Sequence, residues 1–156
     1  NMDGLNVIGP TRVVTVIGYG FSELAQVIDT AASEQDRVLA PDREAEKGSY
    51  FRSDLFELAK LGVPMIYAQY GYDHIERGLD FGMAASADYT ANRYHRVTDE
   101  YSDDWVVAGA IQDLKLYFRF GQIIADGKSW PNWNEGSEFR AVRDAQRATD
   151  TLSFTE

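Results

Sequence analysis

The sequence predicts an α/β chain, a three-layer sandwich built on a mixed, mainly parallel sheet. Three observations carry that expectation. β-Branched runs of strand length alternate with stretches whose apolar residues recur at helical spacing. Glycines and prolines fall at the joints between them. The 156 residues, 44% apolar and 13% aromatic, suffice for one domain spanning 1–156 with a core of its own.

The elements follow in order. Arg12 to Ile17 is a β-branched run that exits through Gly18-Tyr19-Gly20, which reads as a strand. Ser22 is placed to cap a helix, Glu23 suits its first turn, and Leu24, Val27, Ile28 and Ala31 form its apolar stripe. Arg37 to Ala40 reads as a short strand stopped by Pro41, and Asp42 to Gly48 as a charged loop. Ser53 or Asp54 can cap a short helix carrying Phe56, Leu58, Ala59 and Leu61, closed by Gly62. Val63 to Tyr70 is the third strand, with Pro64 near its start, where the lost donor is tolerated.

Gly71 to Arg93 is rich in Gly, Ala, Asp and Tyr and reads as a long irregular connection, a kind of segment that is often functional. Ser102 opens the last major element. Val106, Ala110, Leu114, Tyr117, Phe118, Gly121 and Ile124 mark one stripe of a long amphipathic helix ending at Gly127. Trp130-Pro131-Asn132-Trp133 is then an aromatic turn packed on the domain. About three strands make a thin sheet, which suggests half a domain.

Composition excludes several functions. Fifteen basic against 25 acidic residues give a formal charge of -10, which repels phosphate backbones and anionic lipid, so no nucleic acid partner is expected. No apolar run approaches the ~18 residues of a membrane span. The chain has no cysteine, which removes disulfides, thiolate zinc sites and thiol catalysis. No signal peptide is visible, and a chain opening on Asn1 is expected to begin inside a longer precursor.

Two short stretches carry candidate chemistry. One is Tyr94-His95-Arg96-Val97-Thr98-Asp99-Glu100-Tyr101. A histidine after an aromatic is more often structural than ligating, but His95 follows a long connection and precedes a turn-and-cap sequence, a position at the mouth of an α/β sheet. Neutral imidazole is a good zinc ligand. The other is Asn1-Met2-Asp3-Gly4, where Asp3 reads either as a turn aspartate or as a carboxylate aimed into the same cleft. Two ligands fall short of catalytic zinc, which uses about three plus an open position. His74, in Tyr72-Asp73-His74-Ile75, reads as a surface histidine. Gly18-Tyr19-Gly20 superficially suggests a flavodoxin-like phosphate loop, but no third glycine and no Gly-Lys-Ser/Thr follows.

Taken in order, Asn1-Met2-Asp3, Val14 to Glu23, Lys47 to Pro64, Tyr94 to Trp105 and Trp130 to Asp144 resemble the C-terminal half of the catalytic domain of the co-catalytic di-zinc aminopeptidases. That family includes bacterial leucyl-type aminopeptidases, the glutamate carboxypeptidase group and the related glutaminyl cyclases. The resemblance implies that Asp3 binds one of two zinc ions and His95 the other. It implies that Tyr94 hydrogen-bonds the substrate carbonyl or oxyanion, and that Arg52 and Asp54, in Arg52-Ser53-Asp54, line the substrate cleft. Asp54 reads equally well as a plain helix cap.

Two departures count. Close relatives often carry histidine after the position of Asp54, where this chain has Leu55. The family's His-x-Asp segment and Glu-Glu pair, which supply the bridging aspartate, the general base and further ligands, occur nowhere in this sequence. The implied reaction is hydrolysis at a free peptide N-terminus, with two zincs sharing a hydroxide and a glutamate moving its proton. Losing a general base alone costs ~10²–10⁴-fold in rate, so this chain alone is expected to be inactive and to bind zinc weakly. Half a sheet would need the other half, or a second copy, as partner. The alternative is a binding or assembly module that keeps the fold without the site; a cyclase of N-terminal glutamine is the third reading. The family favours a periplasmic or secreted setting.

Overall fold

The structure, a computed structural model, describes residues 1, 2 and 4–153. Its sheet has three strands in the order β2-β1-β3: β1 is Val13–Ile17, β2 Val38–Pro41 and β3 Tyr67–Tyr70. β1 pairs parallel with β2, from Val13 opposite Val38 to Val16 opposite Pro41. It pairs antiparallel with β3, from Val14 opposite Tyr70 to Ile17 opposite Tyr67. The sheet is thus mixed, with one pairing of each kind. β3 is half the length expected, because Val63 turns back to bond the Leu58 carbonyl before the strand begins.

Strand alternation divides the core in two. Val14, Val16 and Ala68 face helix α1 (Leu24–Ser33) and helix α5 (Ala108–Ala125), burying Leu24, Ile28, Ala31 and Leu116. Ile17 and Tyr67 face the opposite way, toward α2 (Ser49–Arg52), α3 (Leu55–Lys60) and the turn after residue 130, burying Tyr50, Leu55, Ala59, Trp133 and Phe139. Helices therefore cover both faces, as an α/β sandwich requires. Trp133 is fully buried and donates its indole N–H to the Gly62 carbonyl at 2.9 Å, while Trp130 stays exposed.

The connection expected over Gly71–Arg93 is mostly helix: α4 runs Gly78–Asn92. Four alanines between Ala84 and Ala91 supply the propensity, and the scattered Gly, Asp and Tyr residues masked it. The α5 stripe is also rotated from expectation. Ala110, Asp113 and Leu116 are buried, whereas Leu114 and Phe118 face outward. A further helix, α6 (Arg140–Ser153), follows the Trp133 turn, so the segment from Ser102 is not the last major element. Ser22 does not cap α1: it is buried against Trp133, and Glu23 stands in the cap position without a side-chain bond to the helix.

Candidate functional site

Three segments converge beyond the carboxyl end of β3, the end of a strand where α/β proteins place ligands. The chain after β3 continues antiparallel to the segment before β1: Gly71 N–H bonds Val13 O, Arg12 N–H bonds Asp73 O and Ile75 N–H bonds Pro10 O. The start of α5 closes from the other side, with Val106 N–H on Val7 O at 2.9 Å. Asn6 is fully buried there. Its amide donates to Gly9 O at 2.8 Å and accepts from Ile8 N–H at 3.1 Å, and Gly109 lies so close that a Cβ would stand 2.6 Å from the Asn6 side chain.

A buried ion pair stitches this region to α5. Arg37, 2% exposed, donates to Thr11 Oγ1 at 3.0 Å and Val13 O at 3.2 Å, and its Nη1 stands 2.8 Å from Asp113 Oδ1. The contact is close but poorly directed, an ion pair rather than a full hydrogen bond, and Arg37 Nε has no partner. Burial raises the Asp113 carboxyl above its ordinary value, and Arg37 opposes that rise. Burial likewise raises the phenols of Tyr70 and Tyr117.

Helix α4 leads away from this end and delivers the predicted histidine. Tyr89 packs on Tyr94 with centroids 6.1 Å apart, and Tyr94 stacks on His95 at 4.0 Å and 20°. Tyr89 Oη donates to Asp99 Oδ2 at 2.9 Å. Desolvation, with help from Asp99, pushes the Tyr89 phenol up to about 12. His95 adopts a left-handed backbone, φ 58, a conformation in which histidine is enriched several-fold among non-glycine residues. Its ring is exposed, as are Tyr94 and Val97.

The other expected site residues lie elsewhere. Arg52 ends α2 and Asp54 precedes α3 without capping it by a side-chain bond; both are exposed. Tyr50, two residues before Arg52, packs at Gly18 beyond the carboxyl end of β1, the opposite end of the sheet. No hydrogen bond or ring contact joins the Arg52–Asp54 segment to Tyr94–His95 among the described residues. Asp3 lies outside the described residues. Its neighbour Asn1 donates its terminal amine to Ile66 O at 2.7 Å, which brings the chain in beside β3.

Among the described residues, no three or more His, Asp or Glu side chains gather as a metal would need. His95 is one imidazole where catalytic zinc takes about three protein ligands, so these residues do not by themselves fit a zinc site. No described helix is long and apolar enough to cross a membrane.

Sequence reasoning missed His74. It is buried, 5% exposed, rather than on the surface. Its Nδ1 accepts the N–H groups of Glu76 and Arg77, both at 3.1 Å, in the turn that opens α4. The only available signal was its place just before Gly78 and an alanine-rich run, which reads as a helix start once α4 is recognised.

The sequence model of peptidase family M28 matches residues 1–119, from the N-terminal segment into α5. No curated protein and no solved structure matches the chain.

Proposed function

We propose, from the premise that the chain belongs to peptidase family M28, that it carries one side of a zinc exopeptidase site and acts on peptide N-termini only with the rest of that site supplied. The family's members are zinc-dependent peptidases, so a peptide is the substrate class. His95 and Asp3 are the two ligands this chain offers, one to each of two zinc ions. Tyr94 meets the substrate carbonyl, and Arg52 and Asp54 line the path of the peptide. The remaining ligands and the general base come from polypeptide outside these 156 residues, either an N-terminal half or a partner copy.

The observation that carries this reading is the family match itself, because residues 1–119 contain all five of these positions. The lack of a three-ligand cluster among the described residues supports the second part, that the chain alone is inactive. Tyr94 is half exposed and stacked on His95, so its phenol is free to meet a ligand beside the imidazole.

The test uses the native polypeptide that contains this sequence, assayed on amino-acid p-nitroanilides with and without zinc. Zinc-dependent release that disappears in His95→Asn supports the proposal; asparagine is chosen because it tolerates the left-handed backbone. Activity unchanged in His95→Asn removes His95 from the site. A native polypeptide that binds peptides without cleaving them favours the non-catalytic module, the reading that the sparse ligand set supports.

A further inference from the structure

We propose that His74 is a proton-operated latch that positions α4, and with it the Tyr94–His95 segment. α4 is a helix of 15 residues that buries only Gly82 of its own. A short, weakly packed helix in water depends on its ends, because nucleation is costly and tertiary burial normally supplies the stability. Its amino end is organised by one residue. The His74 carbonyl accepts Gly78 N–H at 2.9 Å, and Nδ1 accepts two further backbone N–H groups from the turn. No other side-chain cap bond serves that end of the helix.

The same residue ties the turn to the rest of the fold. It bridges to Thr11, its N–H bonds Tyr72 O at 3.0 Å, and Arg12 Nη1 donates to its carbonyl at 3.0 Å. The ring meets Phe81 edge-on at 5.2 Å, and a Cβ on Gly9 would stand 2.6 Å from Nε2. The imidazole therefore has no room to rotate away from its two donors.

An imidazole accepting at Nδ1 holds its proton at Nε2. A second proton has only Nδ1 to occupy, and there it would face two N–H donors. The surroundings compound the conflict. Arg77 lies over the Phe81 ring at 3.4 Å, and Arg12, although paired with Asp73 at 3.2 Å, also points at this turn. Glu76 is the remaining charged group of the turn, while Gly9 and Val106 at the far ring edge carry no charge. Proton uptake must therefore break the Nδ1 bonds and release the start of α4. The sign is fixed: the latch is closed at neutral pH and opens as pH falls.

The test is amide hydrogen exchange of residues 76–82 between pH 7.5 and 5.5, with rates corrected for the intrinsic effect of pH. The chain has two histidines and no cysteine, so in a His95→Gln background His74 is the imidazole left to titrate in that window. The opening constant of these amides should rise by up to ~10-fold per pH unit below the transition, the limit for one proton. β1 amides and the fluorescence of buried Trp133 should stay constant. Adding His74→Asn keeps an acceptor oxygen near the Nδ1 position and should flatten the response. Should that double variant not fold, the His74 ring resonances in the His95→Gln chain should titrate together with α4 opening. The proposal is overturned if α4 exchange is flat in pH, if it keeps its pH response in His74→Asn, or if β1 opens in parallel.

Discussion

Replacing Asp113 with alanine isolates the buried guanidinium of Arg37, and the expected cost can be worked from the contacts. Arg37 cannot discharge by losing a proton, because guanidinium stays protonated in proteins. Without Asp113 it keeps three neutral acceptors, Thr11 Oγ1, Val13 O and Gln35 Oε1, the last at a marginal 3.4 Å. Breaking a buried ion pair on one side costs ~3–5 kcal/mol, and those acceptors place this case near ~3. With a urea slope of ~2 kcal/mol/M, the unfolding midpoint of Asp113→Ala should fall by about 1.5 M. The pair itself contributes little net stability, since burial outweighs Arg37 in setting the Asp113 carboxyl. Arg37→Met should therefore cost less than Asp113→Ala, because the orphaned carboxyl can take up a proton. The double variant Arg37→Met/Asp113→Leu should lie within ~1 kcal/mol of the parent or above it. A cost below ~1 kcal/mol for Asp113→Ala would refute the claim that this pair joins β1 to α5.

Three further outcomes follow from the same contacts. The Asp113 carboxyl is raised in the folded chain above its ordinary 3.8, so the folded state binds more protons across that window and this group's contribution to stability falls as pH rises through it. Asp113→Asn should remove that slope from urea midpoints measured between pH 4 and 7. The Tyr89 phenol, pushed up to about 12 by desolvation and then by Asp99, should ionise at lower pH in Asp99→Asn, read as the ultraviolet phenolate transition. Gly82→Ala should destabilise the chain by ~2–3 kcal/mol even though alanine favours a helix by ~1 kcal/mol, because its Cβ would overlap the Tyr72 carbonyl, a backbone group with no rotamer to escape by. The readout is the thermal midpoint; no decrease would mean that α4 does not sit on Tyr72.

The parts of the fold legible in the sequence were those where local pattern and burial agree. β1 is apolar on both faces because helices cover both, so its β-branched run reads unambiguously. α1 carries its apolar residues on a single face and was equally plain. The errors came where a polar residue is buried or an apolar one exposed. In α5 the buried face includes Asp113, held by a partner 76 positions earlier, while Phe118 and Leu114 look outward. Apolar periodicity alone therefore selects the wrong stripe. α4 escaped because it has almost no buried face to generate a pattern. His74 escaped because its burial depends on Thr11 and Gly9, which tertiary structure alone brings to it. The candidate site was legible through ordered resemblance rather than through chemistry. Asp3, Arg52, Asp54, Tyr94 and His95 were singled out by their place in a family pattern, and the family match spans all of them.

The central claim is that this chain offers zinc only part of a site, through His95 and Asp3. Calorimetric titration of the 156-residue chain with zinc at neutral pH tests it most directly. The account predicts weak binding, with a Kd no tighter than ~10 μM, about −7 kcal/mol, weakened further by His95→Asn and by Asp3→Asn, and no peptide hydrolysis. Tight binding of two zinc ions by the chain alone, unaffected by either substitution, would contradict it.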